Sequence, residues 1–148
     1  MSAKGTQSLT SAQSPKNFSG TCTAKFLSDG EHLPIDFEGS SFVINYGSLF
    51  PKRINYIHIG DTVDGGRYFD FTIDPPRGDG TYPIPLTSSN ARFTYNRYGF
   101  NIVEGDLILT VTNGNCTGNF KLKVTGNPSG GGEETLSIEE GVFDIYAI

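Results

Sequence analysis

At 148 residues, with 16 Asp and Glu against 11 Lys and Arg, the chain is one domain long and carries a formal charge of −5, which argues against duplex nucleic acid as a partner, since no basic patch is visible. No run of about 18 apolar residues occurs, so a membrane-spanning helix is excluded, and the acidic balance argues against anionic membrane surfaces. The 19 Gly, 11 Phe and 7 Tyr, with no Trp and little Ala or Leu, disfavour helix and favour short strands joined by tight turns.

Residues 1–17 are polar and predict a disordered leader; residues 18–148 predict a single all-β domain. The leader lacks the apolar stretch of a secretory signal. The chain as written therefore reads as cytoplasmic, or as exported if Met1 only starts a cloned mature segment. Phe18 to Leu27 predicts the first strand, with Phe18, Cys22, Ala24 and Phe26 inward. A turn at Ser28-Asp29-Gly30-Glu31 follows. Ile35 and Phe37 begin a second extended segment, broken at Gly39, and Phe42, Ile44 and Tyr46 then alternate.

Ile54 to Val63 and Arg67 to Asp74 predict a hairpin around Asp64-Gly65-Gly66. A three-residue loop with Gly in the left-handed region pairs Val63 with Arg67, Ile59 with Phe71 and Ile57 with Ile73. The stretch from Asp74 to Gly80 contains Pro75 and Pro76 and cannot be a central strand. Tyr82, Ile84 and Leu86 alternate with Pro83 and Pro85, which predicts an edge strand. Phe93 and Tyr95 begin another strand, ending near Arg97-Tyr98-Gly99.

The strongest local signal is the hairpin from Ile102 to Val124. Asn113-Gly114 is the preferred pair for a two-residue turn in which both residues take positive φ. That turn places Val111 opposite Cys116, Leu109 opposite Gly118 and Leu107 opposite Phe120. Val103, Leu107, Leu109 and Val111 then share an inner face with Cys116, Phe120, Leu122 and Val124. In the last segment Leu136 and Ile138 hold one parity, and Phe143, Ile145 and Ala147 the other. The switch at Glu140-Gly141 predicts a β-bulge. The whole pattern predicts an antiparallel β-sandwich of about nine or ten short strands, with an up-and-down or calycin-like β-barrel as the alternative.

Gly80-Thr81-Tyr82-Pro83-Ile84, Glu104-Gly105-Asp106-Leu107, Cys116-Thr117-Gly118-Asn119-Phe120 and Glu140-Gly141-Val142-Phe143-Asp144 resemble the closing meander of small bacterial all-β domains of unknown function. The resemblance covers the C-terminal half and rests on Gly, aromatic and β-branched residues. Members of that group are often exported lipoproteins. The resemblance implies no catalytic residues.

Candidate chemistry is sparse. The hairpin register above puts Tyr56, His58, Tyr68, Asp70 and Asp74 on one outward face, with His58 opposite Thr72 and diagonal to Asp70. Tyr rings and carboxylates on one face suit a glycan or small polar ligand, against the plainer alternative of a solvated sheet face. Asp61 and Asp64 beside glycines could hold Ca²⁺ through oxygen ligands, although turn-forming Asp is the plainer reading, and no other cofactor is implied. Cys22 and Cys116 are either two buried thiols or a disulfide, which would add about 3–5 kcal/mol. Arg77-Gly78-Asp79 spells an integrin-type tripeptide made of residues that turns favour anyway. Asn17-Phe18-Ser19 and Asn115-Cys116-Thr117 match the N-glycosylation pattern and read as accidental.

No assembled catalytic set is present. The sequence therefore favours a non-enzymatic binding or interaction domain, for a glycan, a small polar ligand or a protein. The alternatives are a barrel carrying an apolar ligand on its aromatic inner face, and an enzyme built on His58 and Asp70. Exposed edges would allow a homodimer.

Overall fold

A computed structural model of the chain describes residues 17–28, 31–32, 36–61, 66–127, 130 and 132–148. Ten strands lie in these residues: β1 (Phe18–Ser28), β2 (Glu31–His32), β3 (Phe37–Leu49), β4 (Lys52–Asp61), β5 (Arg67–Arg77), β6 (Gly80–Pro85), β7 (Ala91–Tyr95), β8 (Tyr98–Thr112), β9 (Asn115–Gly126) and β10 (Glu134–Ala147). The expected leader up to residue 16, the Asp29-Gly30 turn centre, Ile35 and the Asp64-Gly65 part of the second hairpin loop lie outside the described residues.

β10 pairs with β1 from Phe18↔Ala147 to Ser28↔Leu136. This joins the last strand to the first and closes an eight-strand antiparallel barrel. The sandwich expectation is thereby corrected to its barrel alternative. Alternation says which side of a strand faces inward, and both architectures share it; it does not say whether the outermost strands meet. Apart from β2 and β6, the strands follow one another around the wall in chain order, the simplest unknotted path. β6 and β7 lie end to end against β8: Gly80↔Val111 to Pro85↔Asp106, then Phe93↔Phe100 to Tyr95↔Tyr98. The Thr87–Asn90 turn bulges out between them, closed by Ala91 N–H donating to the Thr87 carbonyl at 2.9 Å. As expected from its prolines, β6 has a ladder on one side only, with β8.

Eight strands enclose a space that side chains can just fill, and aromatic rings fill it here. Phe26, Phe37, Phe69, Phe71, Phe93 and Phe143 are fully buried. Phe69 on β5 lies 4.9 Å from Phe120 on β9 and 4.7 Å from Phe37 on β3, both edge-on, so these rings meet across the interior. Burying each such side chain contributes roughly 1.5–3 kcal/mol.

The β8–β9 register is the expected one: Val111↔Cys116, Leu109↔Gly118 and Leu107↔Phe120. Asn113 and Gly114 both take positive φ, 52° and 83°. One residue departs. Val103 is 53% exposed, because the ladder slips between Ile102 and Glu104 and reverses the parity. Phe100 points inward in its place, and Ile102 packs against the core. β8 also begins earlier than expected, at Tyr98, after a two-residue turn in which Asn96 and Arg97 both have positive φ. The β10 bulge is where Glu140-Gly141 placed it, with a register shift between Ile138 and Gly141. The break expected at Gly39 is likewise a bulge inside one continuous strand, β3, between Gly39 and Ser41.

The β4–β5 hairpin differs from the expected one by two residues. Ile59 faces Phe69 and Ile57 faces Phe71, so His58 lies directly opposite Asp70, and Tyr56 opposite Thr72. A slip of two keeps every side chain on its face, which is why apolar matching alone did not reject the other register. β5 also runs on through the prolines to Arg77. Pro75 and Pro76 fall in the irregular stretch between Tyr56↔Thr72 and Ile54↔Arg77, where the ladder does not need their missing N–H groups.

Candidate functional site

The corrected register builds a row across the outer wall. Val43 on β3, His58 on β4, Asp70 on β5 and Arg92 on β7 stand side by side in successive ladders. These residues alternate with the buried Ile57, Ile59, Phe69, Phe71, Ala91 and Phe93, so core burial of one parity fixes the polar parity outward. His58 Nδ1 lies 2.7 Å from Asp70 Oδ1, and the Tyr56 hydroxyl donates to the same carboxylate oxygen. The His58 and Asp70 side chains keep 27% and 22% of their exposure, so the pair is shielded yet reachable.

The Tyr68 ring stacks on the His58 ring, with centroids 5.4 Å apart and planes 26° from parallel. Gly60, opposite Tyr68 in the ladder, permits this. A Cβ there would come within 2.9 Å of the Tyr68 ring, so a bare α-carbon lets the ring lie over the strand.

Burial raises the Asp70 pKa, but hydrogen bonds from His58 and Tyr56 and the charges of His58 and Arg92 outweigh it and hold the carboxyl below its usual range. Tyr56 is pushed the other way, by burial first and then by its hydrogen bond to Asp70 and that carboxylate's charge. Asp70 is therefore an anion with fixed neighbours, and Tyr56 is a neutral donor.

Beside this cluster runs a groove of 240 Å³. Tyr56, Asp70, Thr72 and Arg92 form one wall, and Ser88, Ser89 and Asn90 of the β6–β7 turn form the other. The turn is stiff. Asn90 Oδ1 accepts from Thr87 N–H at 2.8 Å, Asn90 Nδ2 donates to the Pro85 carbonyl at 2.9 Å, and Ser88 Oγ accepts from Ile102 N–H at 3.0 Å. Among the described residues His58 is engaged by Asp70 and Tyr68, whereas Ser88 and Ser89 are engaged within and beside their own turn.

Of the five residues expected together, Tyr56, His58, Tyr68 and Asp70 are brought together; Asp74 is exposed, within the irregular stretch of β5, and joins no hydrogen bond of the cluster. Arg92, Ser88 and Asn90 escaped the sequence reading. β5 pairs with β7 across the intervening β6, and no turn in the sequence announces that neighbour. Arg92 did carry one signal: it has the outward parity in a strand whose Ala91 and Phe93 face in.

Asp61 is not poised as an open oxygen ligand. It is buried, and Arg67 Nε donates to its Oδ2 at 2.8 Å. Arg67 also donates to the Asp36 carbonyl, and its guanidinium lies 4.8 Å from the Phe26 ring centre. Asp64 lies outside the described residues. Among the described residues no three His, Cys, Asp or Glu side chains converge on a metal-sized space.

Cys22 and Cys116 are buried free thiols, so the disulfide alternative gives way to the thiol one. They sit on β1 and β9, facing Phe143 and Ile145 of the strand between them. Two strand spacings separate them, about 10 Å, whereas a disulfide needs α-carbons within about 7 Å. Burial, with a smaller push from Asp61 and Asp144 respectively, raises each thiol pKa to about 12.

The Arg77-Gly78-Asp79 tripeptide is built into the barrel end. Arg77 packs on the Tyr82 ring, the Gly78 carbonyl accepts from the Tyr82 hydroxyl, and Asp79 accepts from Asn113 N–H. Among the described residues no helix is long and apolar enough to cross a membrane. No family model, curated protein or solved structure matches the chain.

Proposed function

We propose that this barrel is a non-catalytic binding domain whose outer wall holds a small hydroxyl-rich ligand such as a glycan. The observation that carries the reading is the Asp70 carboxylate, fixed by His58 and Tyr56 at the edge of a groove that also presents Arg92, Thr72 and Ser88. Asp70 Oδ1 is engaged and Oδ2 is left to accept; the Arg92 guanidinium and the Ser88 hydroxyl can donate. A polyol needs this mixture of acceptors and donors, held in place before it arrives. The Tyr68 ring over His58 adds a flat face beside it.

The barrel is also compatible with a carrier of apolar ligands. The outer groove is favoured because rings from β3, β5 and β9 already touch one another across the interior.

The test is a glycan microarray probed with the labelled chain, followed by calorimetric titration of any glycan retained. Asp70→Asn should weaken such binding at least tenfold while leaving the fold intact. A blank array, or glycan binding indifferent to Asp70→Asn, would sink the proposal.

A further inference from the structure

Positive charge is scarce on this chain, yet three cations gather at one end of the barrel: Lys52 and Arg53 where β4 starts, and Arg77 where β5 stops. Among the described residues none of the three makes an ion pair. Arg77 Nε is buried without a hydrogen-bond partner. Between the strand ends lies a groove of 600 Å³, floored by Gly78 and the Tyr82 side chain and flanked by Lys52, Arg53 and Asn113.

The groove is built rather than incidental. Asn113 N–H donates to Asp79 Oδ1 at 2.7 Å and so clasps the β8–β9 turn to the β5–β6 turn. The Tyr82 hydroxyl donates to the Gly78 carbonyl at 2.8 Å, and the Arg77 guanidinium lies 4.8 Å from the Tyr82 ring centre. The Lys52 stem lies over Gly114, where an added Cβ would come within 2.6 Å of Lys52 Cδ. Its ammonium stands 5.5 Å from the Tyr46 ring, and Tyr46 in turn donates to the Gly114 carbonyl. Asp79 is the one carboxylate lining the groove, and its Oδ1 is already engaged. Lys52 and Arg53 line the groove and Arg77 packs on the Tyr82 ring beside it, so three cations face one carboxylate and leave a local excess of positive charge on an acidic protein. Like charges held close repel, and a dianion placed between them removes that repulsion.

We propose that this groove binds the phosphate group of a phosphate ester. Arginine forks and a lysine ammonium are the usual partners of phosphate oxygens, and Tyr82 gives the ester's organic part a ring to lie against. Two sources supply such a group, a soluble aryl or sugar phosphate and a phospholipid headgroup. Phe50, 94% exposed and next in the chain to the groove-lining Pro51, is an apolar ring that a lipid surface beside the groove could take up.

The experiment has two arms. Phenyl phosphate is titrated into ¹⁵N-labelled protein, and the protein is separately sedimented with phosphatidylcholine vesicles with and without phosphatidic acid. Saturable shifts of the Gly78, Asp79 and Asn113 amides, with Kd raised at least tenfold in the double variant Lys52→Gln/Arg53→Gln, are expected. Both substituted side chains are exposed, so the melting temperature should hold. Sedimentation only with phosphatidic acid, lost in Phe50→Ser and in the double variant, assigns the lipid source. Phenyl phosphate binding without sedimentation assigns the soluble one. The proposal is overturned if neither arm shows binding, or if binding is unchanged in the double variant. Asp70→Asn should leave both arms unaffected, which separates this site from the wall groove.

Discussion

In the β8–β9 hairpin the register is set at the turn; in the β4–β5 hairpin it is set at the last rung before the loop. Asn113-Gly114 allows one tight geometry, and every pair up to Leu107↔Phe120 follows from it. Between β4 and β5 the connection is longer and dictates little. There Asp61 and Arg67 stand one rung beyond Gly60↔Tyr68, both buried, with Arg67 Nη2 2.6 Å from Asp61 Oδ2. Any slip of this ladder would bury each charge without the other. A buried ion pair is weak evidence for stability, but it can choose one register among several. The difference teaches that a short turn writes register locally, while a long one leaves it to whatever must be paired inside.

Three substitutions break or sharpen that contrast. The largest effect is expected from Arg67→Met, which buries the Asp61 carboxylate without its arginine; urea denaturation should show a loss of about 3–5 kcal/mol. The double variant Asp61→Leu/Arg67→Met should recover most of it, and cross-strand contacts between His58 and Asp70 should then become heterogeneous in NMR spectra. A single variant costing under about 1 kcal/mol would remove the pair from its pinning role.

Gly114→Ala comes next. It forces a side chain into φ +83° and against Lys52 Cδ, so a loss of about 1–2 kcal/mol is expected by the same measurement. No loss would mean that the turn tolerates another geometry and does not dictate its ladder.

The smallest effect concerns pH. Asp70 is held below the usual carboxylate range, so its contribution to stability is present above about pH 4, the ordinary value, and is lost as pH falls through the lowered folded value. Melting temperatures of the native chain and Asp70→Asn should differ at neutral pH and converge in acid. Parallel curves from pH 6 to pH 2 would show that the His58–Asp70–Tyr56 cluster does not depend on that charge.

Much of the fold was legible because burial has period two. Cys22, Ala24 and Phe26 face in, Glu140-Gly141 marks a bulge, and Asn113-Gly114 marks a turn. What stayed illegible is long-range. Nothing local says that Phe18 meets Ala147, and that single pairing separates barrel from sandwich. The candidate site divides the same way. Tyr56, His58, Tyr68 and Asp70 share a face that parity alone announces. Arg92 and the Ser88–Asn90 wall arrive through β5–β7 pairing, which skips a strand in the sequence. Val103 failed for a local reason: a one-residue slip in β8 reversed its side, and neither neighbour is a Gly or Pro that would signal it.

The closing ladder makes the chain topologically a ring. Ile148 N–H donates to the Asn17 carbonyl at 3.2 Å, so the first and last described residues touch. A short peptide bridging them, with fresh ends opened at the exposed Thr87–Asn90 turn, would give a circular permutant that retains every rung of the wall. It also follows that Asn17 and Ile148 meet beside Asn115, whose side chain accepts from Ala147 N–H, so a segment spliced after Ile148 leaves at the same rim as the cationic groove.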